Sequence, residues 1–145
     1  MRKFEKVSYD NSGILPIRAD IRSAGYDIYS PTQVYIEPKQ MIKIKTNIKA
    51  YMEPDEVLMI YVRSSIGIKK NLMLANSTGV IDSSYVDNPD NEGNIIIALY
   101  NYGETRQFIE AGDRIAQGVF LKYLITENDN TTNTTRNGGI GSSGV

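Results

Sequence analysis

The stretch MIKIKTNIK, residues 41–49, alternates isoleucine with lysine or asparagine. Successive side chains of an extended strand point to opposite faces, so Ile42, Ile44 and Ile48 fall on one side. The pattern therefore predicts a half-buried β-strand. Its predicted solvent-exposed (wet) face is formed by Lys43, Lys45, Asn47 and Lys49.

Other segments carry the same strand signal. Short continuous apolar runs at Val57–Val62 and Asn94–Tyr100 fit strands that are buried on both faces. RIAQGVFLKYLI, residues 114–125, predicts a long strand with a bend or bulge at Gly118, and QVYIEP and EKVSY predict shorter strands. No stretch has the pattern of an amphipathic helix over three turns. Many short strands separated by turn residues predict an all-β fold of the sandwich, jelly-roll or barrel type.

Composition limits the possible chemistry. The 145 residues suit one domain, and the net charge of −1 gives no general attraction to nucleic acids or anionic membranes. The chain has neither cysteine nor histidine, which excludes thiolate catalysis, cysteine zinc sites and histidine bases. A catalytic base is then expected to be a carboxylate, lysine or tyrosine, and a metal is expected to be oxygen-bound, with magnesium first.

The chain shows no transmembrane or secretory signal. No apolar run approaches the length that crosses a bilayer, and the N-terminus lacks the apolar region of a signal peptide. We therefore expect a cytoplasmic location, in a bacterium or in the host cell if the gene belongs to a phage.

The composition changes near Thr126, where Asn, Thr, Gly and Ser become dominant. This change predicts a β domain at residues 1–125 and a mobile C-terminal arm at residues 126–145. Gly/Ser-rich termini are usually flexible. Arg136, beside Gly138 and Gly139, nevertheless offers a guanidinium and backbone N–H groups, which together suit a phosphate. A disordered tail and a lid over an anion both remain open at this point.

Two polar stretches interrupt the first half of the chain. SAGYDIYS, residues 23–30, has Gly25 at a turn and Asp27 in an apparent strand, where it is an edge carboxylate or a functional group. In VRSSIGIKK, residues 62–70, Arg63, Ser64 and Ser65 follow an apolar strand. They could hold a phosphate chain or form a solvated loop.

Two further polar stretches follow. NSTGVIDSSY, residues 76–85, contains Asn76, whose amide can read a base edge, and Gly79, which lets the backbone approach a flat ligand. Asp82 and Tyr85 could share the same hairpin, and the alternative is a polar hairpin tip. GDRIAQG, residues 112–118, places Gln117 inside an apolar strand, as an outward-facing residue or a ligand contact.

Taken together and in this order, these stretches resemble the five motifs of the trimeric dUTPase family. The motifs are SAGYD, RSS with its following glycine, N-x-x-G-V-I-D-x-x-Y, GDRIAQ and R-x-G-G-x-G-S-x-G, and they run from about Ala24 to Gly144. The resemblance implies a jelly-roll homotrimer with active sites at subunit interfaces. It also implies magnesium-assisted hydrolysis of dUTP to dUMP and pyrophosphate by water attack at the α-phosphate. That reaction limits uracil in DNA and supplies dUMP for dTTP synthesis.

The resemblance also implies roles for individual residues. Asp82 would orient and deprotonate the attacking water, and Asp27 would hold the water ligands of Mg²⁺. The phosphate contacts would come from Arg63, Ser64, Ser65, Gln117, Arg136, Gly139, Gly141 and Ser142. The uracil and deoxyribose contacts would come from Asn76, Gly79, Val80, Ile81, Tyr85 and Ile140. Hydrogen bonds to N3–H and O4 of uracil would reject cytosine, and Tyr85 beneath the sugar would exclude a 2′-hydroxyl.

The sequence departs from the family pattern in three places. Ile140 stands where family tails commonly carry an aromatic, so it can cover a uracil ring but cannot stack on it. Ser65 replaces a common glycine and keeps its backbone N–H. The segment VDNPDNEG, residues 86–93, is expanded. We predict that this 86–93 loop is an extended hairpin loop near the site, and it either binds a regulatory protein or has no role.

Two other functions remain open from the sequence. The first is a dCTP deaminase of the same superfamily, although that reaction needs a glutamate near the pyrimidine and that enzyme lacks the glycine-rich fifth motif. The second is a regulatory binding protein switched by nucleotide, for which the 86–93 loop is the only support.

Overall fold

Short β-strands make up nearly all regular structure in the computed structural model, which describes residues 1–131, 136 and 138–141. The strands are β1 Lys3–Lys6, β2 Ile17–Arg18, β3 Tyr26–Tyr29, β4 Val34–Ile36, β5 Met41–Lys45, β6 Ile48–Tyr51, β7 Glu56–Val62, β8 Leu72–Leu74, β9 Gly79–Asp82, β10 Ile96–Asn101, β11 Gln107–Ile109 and β12 Arg114–Lys122. A π-helical turn spans Ser65–Lys69 and a 3₁₀ turn spans Ser83–Tyr85. Within the described ranges, no helix is long and apolar enough to cross a membrane.

The strands form two main antiparallel sheets. The larger has the order β2-β3-β12-β7-β9, and the smaller has the order β5-β10-β8. Two additional pairs, β1-β6 and β4-β11, lie beside them. Apolar residues from both main sheets belong to one buried cluster, with Leu58 and Ile60 from the larger sheet and Ile97 and Leu99 from the smaller. The predicted all-β, jelly-roll-type fold is confirmed.

The stretch at residues 41–49 forms two strands rather than one. Thr46 and Asn47 interrupt it, with Asn47 at a φ of 59° and the Thr46 hydroxyl donating to the Ile95 carbonyl at 2.6 Å. Asn47 and Lys49, both predicted on the wet face, are buried. Lys49 is buried because its ammonium group binds two carboxylates of the 86–93 loop, a contact that local alternation cannot reveal.

Several predicted strand details are also wrong. The apolar run of β7 buries one face only, since Leu58 and Ile60 are buried while Tyr61 is 38% exposed. The β12 strand ends at Lys122, and its register irregularity lies between Arg114 and Ala116 rather than at Gly118. EKVSY contributes only its first two residues to β1.

The 76–94 segment connects the two main sheets instead of folding back on itself. The β8 strand pairs with β10, whereas β9 pairs with β7. Neither the predicted hairpin around Asn76–Tyr85 nor a hairpin at the 86–93 loop is therefore present. The crossing leaves a cavity between β9 and β10, where the candidate site lies.

Candidate active site

The cavity beside β9, called the β9 cavity here, has a volume of about 370 Å³. All six residues predicted to contact uracil and deoxyribose line it: Asn76, Gly79, Val80, Ile81, Tyr85 and Ile140. Asp82, Arg136 and Gly141 line it as well. The cavity therefore combines a side-chain amide, a carboxylate, a guanidinium and an aromatic ring.

Gly79 allows β9 to lie close to β7. It pairs with Ile60, and a Cβ atom at position 79 would lie 2.8 Å from the Ile60 Cβ. A side chain there would push the two strands apart. The absence of a side chain therefore permits the close approach of β9 and β7 at the wall of the β9 cavity.

Tyr85 is held rigidly in the wall of the β9 cavity. It is 5% exposed, and its hydroxyl donates to the Asn94 carbonyl at 2.7 Å and accepts from Asn91 Nδ2 at 2.9 Å. Burial raises the pKa of the Tyr85 phenol, against the opposing effects of the Asn91 hydrogen bond and the Arg136 charge. The phenol stays protonated at neutral pH, and its ring forms a fixed flat surface.

Arg136 covers that ring and reaches Asp82. Its guanidinium carbon lies 5.1 Å from the centre of the Tyr85 ring, and Nη1 lies 3.2 Å from Asp82 Oδ2. Nε and Nη2 donate to the carbonyls of Gly138 and Gly139 at 2.7 and 3.0 Å. The Asp82 side chain remains 54% exposed, so its second oxygen is open to water at the cavity rim.

A second cluster surrounds Asp27 in the middle of the larger sheet. Asp27 pairs with Gln117 across β3 and β12, and it is 6% exposed rather than at a sheet edge. Its carboxylate lies 3.1 Å from Arg63 Nε and 3.7 Å from Arg114 Nη1. Gly25 leaves room for Gln117, because a Cβ at position 25 would lie 2.6 Å from the Gln117 Oε1.

Asp27, Arg63, Ser64 and Gln117 line one open cavity of about 360 Å³, called the β3 cavity here. Ser65 does not share it. Ser65 lies in the π-helical turn and lines a separate cavity with Arg63 and Lys70. Arg63 therefore lines both cavities. Of the other predicted phosphate contacts, Ser64 and Gln117 line the β3 cavity and Ser65 lines the separate one.

Asp82 of the β9 cavity and Arg63 of the β3 cavity lie at opposite ends of β7. Asp82 pairs with Val57 near the start of that strand, whereas Arg63 directly follows its last residue, Val62. A strand advances about 3.3 Å per residue, so the six steps from Val57 to Arg63 span roughly 20 Å. Within one chain, Arg136 approaches Asp82 and Arg63 does not.

Comparison with known proteins identifies the family. A family model described as dUTPase matches residues 11–144. The chain belongs to the dUTPase family. The deoxyuridine 5′-triphosphate nucleotidohydrolase of Lactococcus lactis subsp. lactis (strain IL1403) is 45% identical over 148 residues, covering 100% of this chain and 99% of that protein. The corresponding protein of Desulfitobacterium hafniense (strain DSM 10664 / DCB-2) is 37% identical, covering 99% and 95%.

A solved structure shows the same fold. The crystal structure of the dUTPase from Streptococcus mutans superposes with a TM-score of 0.82 at 38% identity. The alignment covers 87% of this chain and 99% of that one. The likeness therefore extends over nearly all of the solved dUTPase.

The arm of this dUTPase also contacts residues that the sequence did not single out. Gly139 donates its N–H to Asp90 Oδ2 at 2.8 Å, and it packs against Asn91. Both partners belong to the 86–93 loop. The expansion of this loop was the sequence feature that could have pointed to them. Arg114, which lies in the quoted GDRIAQ motif, was likewise not predicted as a partner of Asp27. Ser142, a predicted phosphate contact, lies outside the described residues.

Proposed function

We propose that this dUTPase hydrolyses dUTP to dUMP and pyrophosphate by water attack on the α-phosphorus. The observation that carries this proposal is the β9 cavity, where the predicted base, sugar and water-binding groups meet in a chain of this family. Its volume of about 370 Å³ suits part of a nucleotide.

Uracil would be read by Asn76 and by the β9 backbone. The Asn76 amide and the backbone of Gly79–Ile81 line the cavity and can both donate and accept hydrogen bonds. Cytosine presents the inverse pattern at its N3 and C4 positions, which would leave buried polar groups unpaired. The rigid Tyr85 ring would pack against the deoxyribose and exclude a 2′-hydroxyl.

Asp82 would act as the general base. Its exposed oxygen can accept a hydrogen bond from a water, and an ionised carboxylate can take the proton as the water attacks. A carboxylate is a weak base near neutral pH, so most of the rate would come from positioning and from cations around the phosphates.

The phosphate chain would be held by Arg63, Ser64 and Gln117 of a neighbouring subunit. Within one chain, roughly 20 Å along β7 separates Arg63 from Asp82. A single chain therefore does not bring both residues to one α-phosphate. A second copy can supply the missing half, which is the arrangement implied by a homotrimer with sites at its interfaces. Arg136, Gly139 and Gly141 of the arm would contact the terminal phosphates once a nucleotide is bound.

Magnesium would bind mainly through phosphate oxygens and water. No group of three or more acidic, His or Cys residues that could hold a metal occurs in the described ranges, 1–131, 136 and 138–141. The buried carboxylate of Asp27 faces the β3 cavity beside Arg63 and Gln117. Because Mg²⁺ keeps several of its waters, one carboxylate that accepts hydrogen bonds from them fits this donor set. The ion would neutralise charge on the phosphates.

Product analysis tests the reaction. Purified protein is incubated with dUTP, dCTP or UTP, with and without Mg²⁺, and pyrophosphate, dUMP and ammonia are measured. We expect pyrophosphate and dUMP from dUTP in the presence of Mg²⁺, and little reaction of dCTP or UTP. Ammonia from dCTP would instead support a deaminase, and no pyrophosphate from dUTP would contradict the proposal.

Subunit complementation tests the shared site. Arg63→Ala and Asp82→Asn are each expected to lose most activity alone. If the two groups come from different chains, co-refolding equal amounts should restore activity at about a quarter of the sites. Native mass spectrometry, which resolves the mass difference between the two variant subunits, confirms that mixed oligomers form. Activity that stays at the level of the single variants in mixed oligomers would place both groups in one chain.

A further inference from the structure

Hydrogen bonds from the Asn88 side chain hold the 86–93 loop in a defined conformation. Asn88 is 6% exposed, and its Nδ2 donates to the Tyr85 carbonyl at 2.7 Å. Its Oδ1 accepts the N–H groups of Asp90 at 3.0 Å and Asn91 at 3.2 Å. The Asn88 side chain therefore closes the turn and fixes Asp90 relative to Tyr85.

Both ends of the loop are tied to neighbouring segments, namely β6 and the turn that follows β1. Lys49 on β6 donates to Asp87 Oδ1 at 2.7 Å and to Glu92 Oε2 at 2.8 Å. Tyr51 donates to the other oxygen of Asp87 at 2.6 Å, and the Ser8 N–H donates to Glu92 at 2.8 Å. These contacts fix the loop in place, so it presents a defined surface to the arm.

Asp90 is the polar contact between this surface and the arm. It accepts the Gly139 N–H at 2.8 Å, and a Cβ at position 138 would collide with the same carboxylate. Ile140 is 71% exposed, so apolar burial contributes little to holding the arm. Hydrogen bonds and ion pairs must therefore hold the arm in this position.

In this position the arm occupies the surface that a nucleotide needs. The Arg136 guanidinium lies over the Tyr85 ring and binds Asp82 at 3.2 Å. Under the proposed function, the deoxyribose packs against that ring and the attacking water lies at Asp82. The docked arm and the nucleotide thus exclude each other at Tyr85.

We propose that Asp90 acts as an internal anion that holds the arm across the β9 cavity until a nucleotide replaces it. This inference rests on the proposed function. Backbone N–H groups of a glycine-rich segment bind carboxylates and phosphates alike, so the Gly139 N–H exchanges Asp90 for phosphate. Only the fraction of molecules with an undocked arm binds nucleotide, and apparent affinity falls in proportion. Asp90 is therefore a positioning residue that weakens the binding of substrate and of product.

Trypsin sensitivity tests the docking without requiring catalysis. The Arg136 side chain is 11% exposed in the docked arm, and trypsin cleaves after arginine. Without nucleotide, we expect Asp90→Ala to release the 137–145 peptide several-fold faster than the wild type, as followed by mass spectrometry. Asp90→Asn keeps an oxygen acceptor and should give an intermediate rate. Asp129→Ala removes an exposed carboxylate of the arm itself and should match the wild type. Equal rates for Asp90→Ala and the wild type would overturn the proposal.

Nucleotide binding tests the competition. Asp90→Ala should tighten dUMP binding and lower the KM for dUTP by roughly two- to tenfold, the equivalent of one hydrogen bond. Its kcat should change less than its KM, and its Tm should equal that of the wild type. A KM and a dUMP affinity that stay unchanged or weaken would overturn the competition. If dUTP is not a substrate, the trypsin experiment still tests the docking of the arm, because it requires neither nucleotide nor catalysis.

Discussion

The guanidinium of Arg136 lies 3.2 Å from the carboxylate of Asp82, although 54 positions separate them in the sequence. The contact brings the arm to the residue proposed as general base. It also leaves one oxygen of Asp82 open at the cavity rim, since the side chain is 54% exposed.

Asp82→Asn should abolish most turnover while nucleotide binding persists. An amide cannot take the proton of a water, and positioned general bases contribute about 10²–10⁴-fold to rates. Pyrophosphate release measures the loss, and calorimetry with a non-hydrolysable dUTP analogue measures binding. Asp129→Asn, at an exposed position, is the control and should keep wild-type activity. Full activity in Asp82→Asn would exclude this residue as the base.

Tyr85→Ala should relax discrimination between dUTP and UTP. Removing the ring opens space for a 2′-hydroxyl, whereas Tyr85→Phe keeps the ring and should keep the selectivity. Tyr85→Phe should instead cost about 1–3 kcal/mol of stability, because the buried hydroxyl no longer donates to Asn94. The measurements are the kcat/KM ratio for the two nucleotides and chemical denaturation. The same ratio in all three proteins would contradict a sugar-packing role.

Gly79→Ala should destabilise the fold and damage the β9 cavity. The added Cβ would lie 2.8 Å from the Ile60 Cβ, an atom that cannot move without its strand. Overpacking of this kind costs about 1–3 kcal/mol. Gly67→Ala is the matched control, since its Cβ would meet Val62 Cγ1 at an ordinary 3.4 Å. Thermal unfolding compares the two variants, and equal Tm values would show that β9 can shift at no cost.

The free energy of unfolding should decrease in acid because Lys49 pairs with the carboxylates of Asp87 and Glu92, called the Lys49 cluster here. Hydrogen bonds from Lys49 and Ser8 lower the pKa of Glu92 from 4.5 to about 2. The folded state therefore binds this proton less readily than the unfolded chain does. The contribution of Glu92 is fully present above pH 4.5 and is lost as pH falls through about 2.

Glu92→Gln tests this assignment. Its free energy of unfolding should depend less on pH between about 4.5 and 2 than that of the wild type. Urea denaturation at several pH values gives both slopes. The control is Glu127→Gln, which changes an exposed glutamate outside the cluster and should keep the wild-type slope. Identical slopes in Glu92→Gln and the wild type would show that Glu92 is not held ionised by Lys49.

The fold class and the polar residues that line the β9 cavity could be predicted from the sequence alone. Alternation of apolar and polar residues is a local property of a strand, so it can be read from neighbouring positions. Asn76, Gly79, Asp82 and Tyr85 lie within ten residues, and one loop, strand and turn carry all four to the same cavity.

Contacts between residues far apart in the sequence could not be predicted in this way. Lys49 occupies a position that alternation assigns to solvent, yet it is buried because Asp87 and Glu92 lie beside it, 38 and 43 positions away. Asp90 contacts Gly139, 49 positions away, because the chain brings the two together in space. Arg63 is separated from Asp82 because Asp82 pairs with Val57, at the other end of β7. Strand pairing and ion pairs of this kind depend on how the whole chain packs, so local sequence patterns do not specify them.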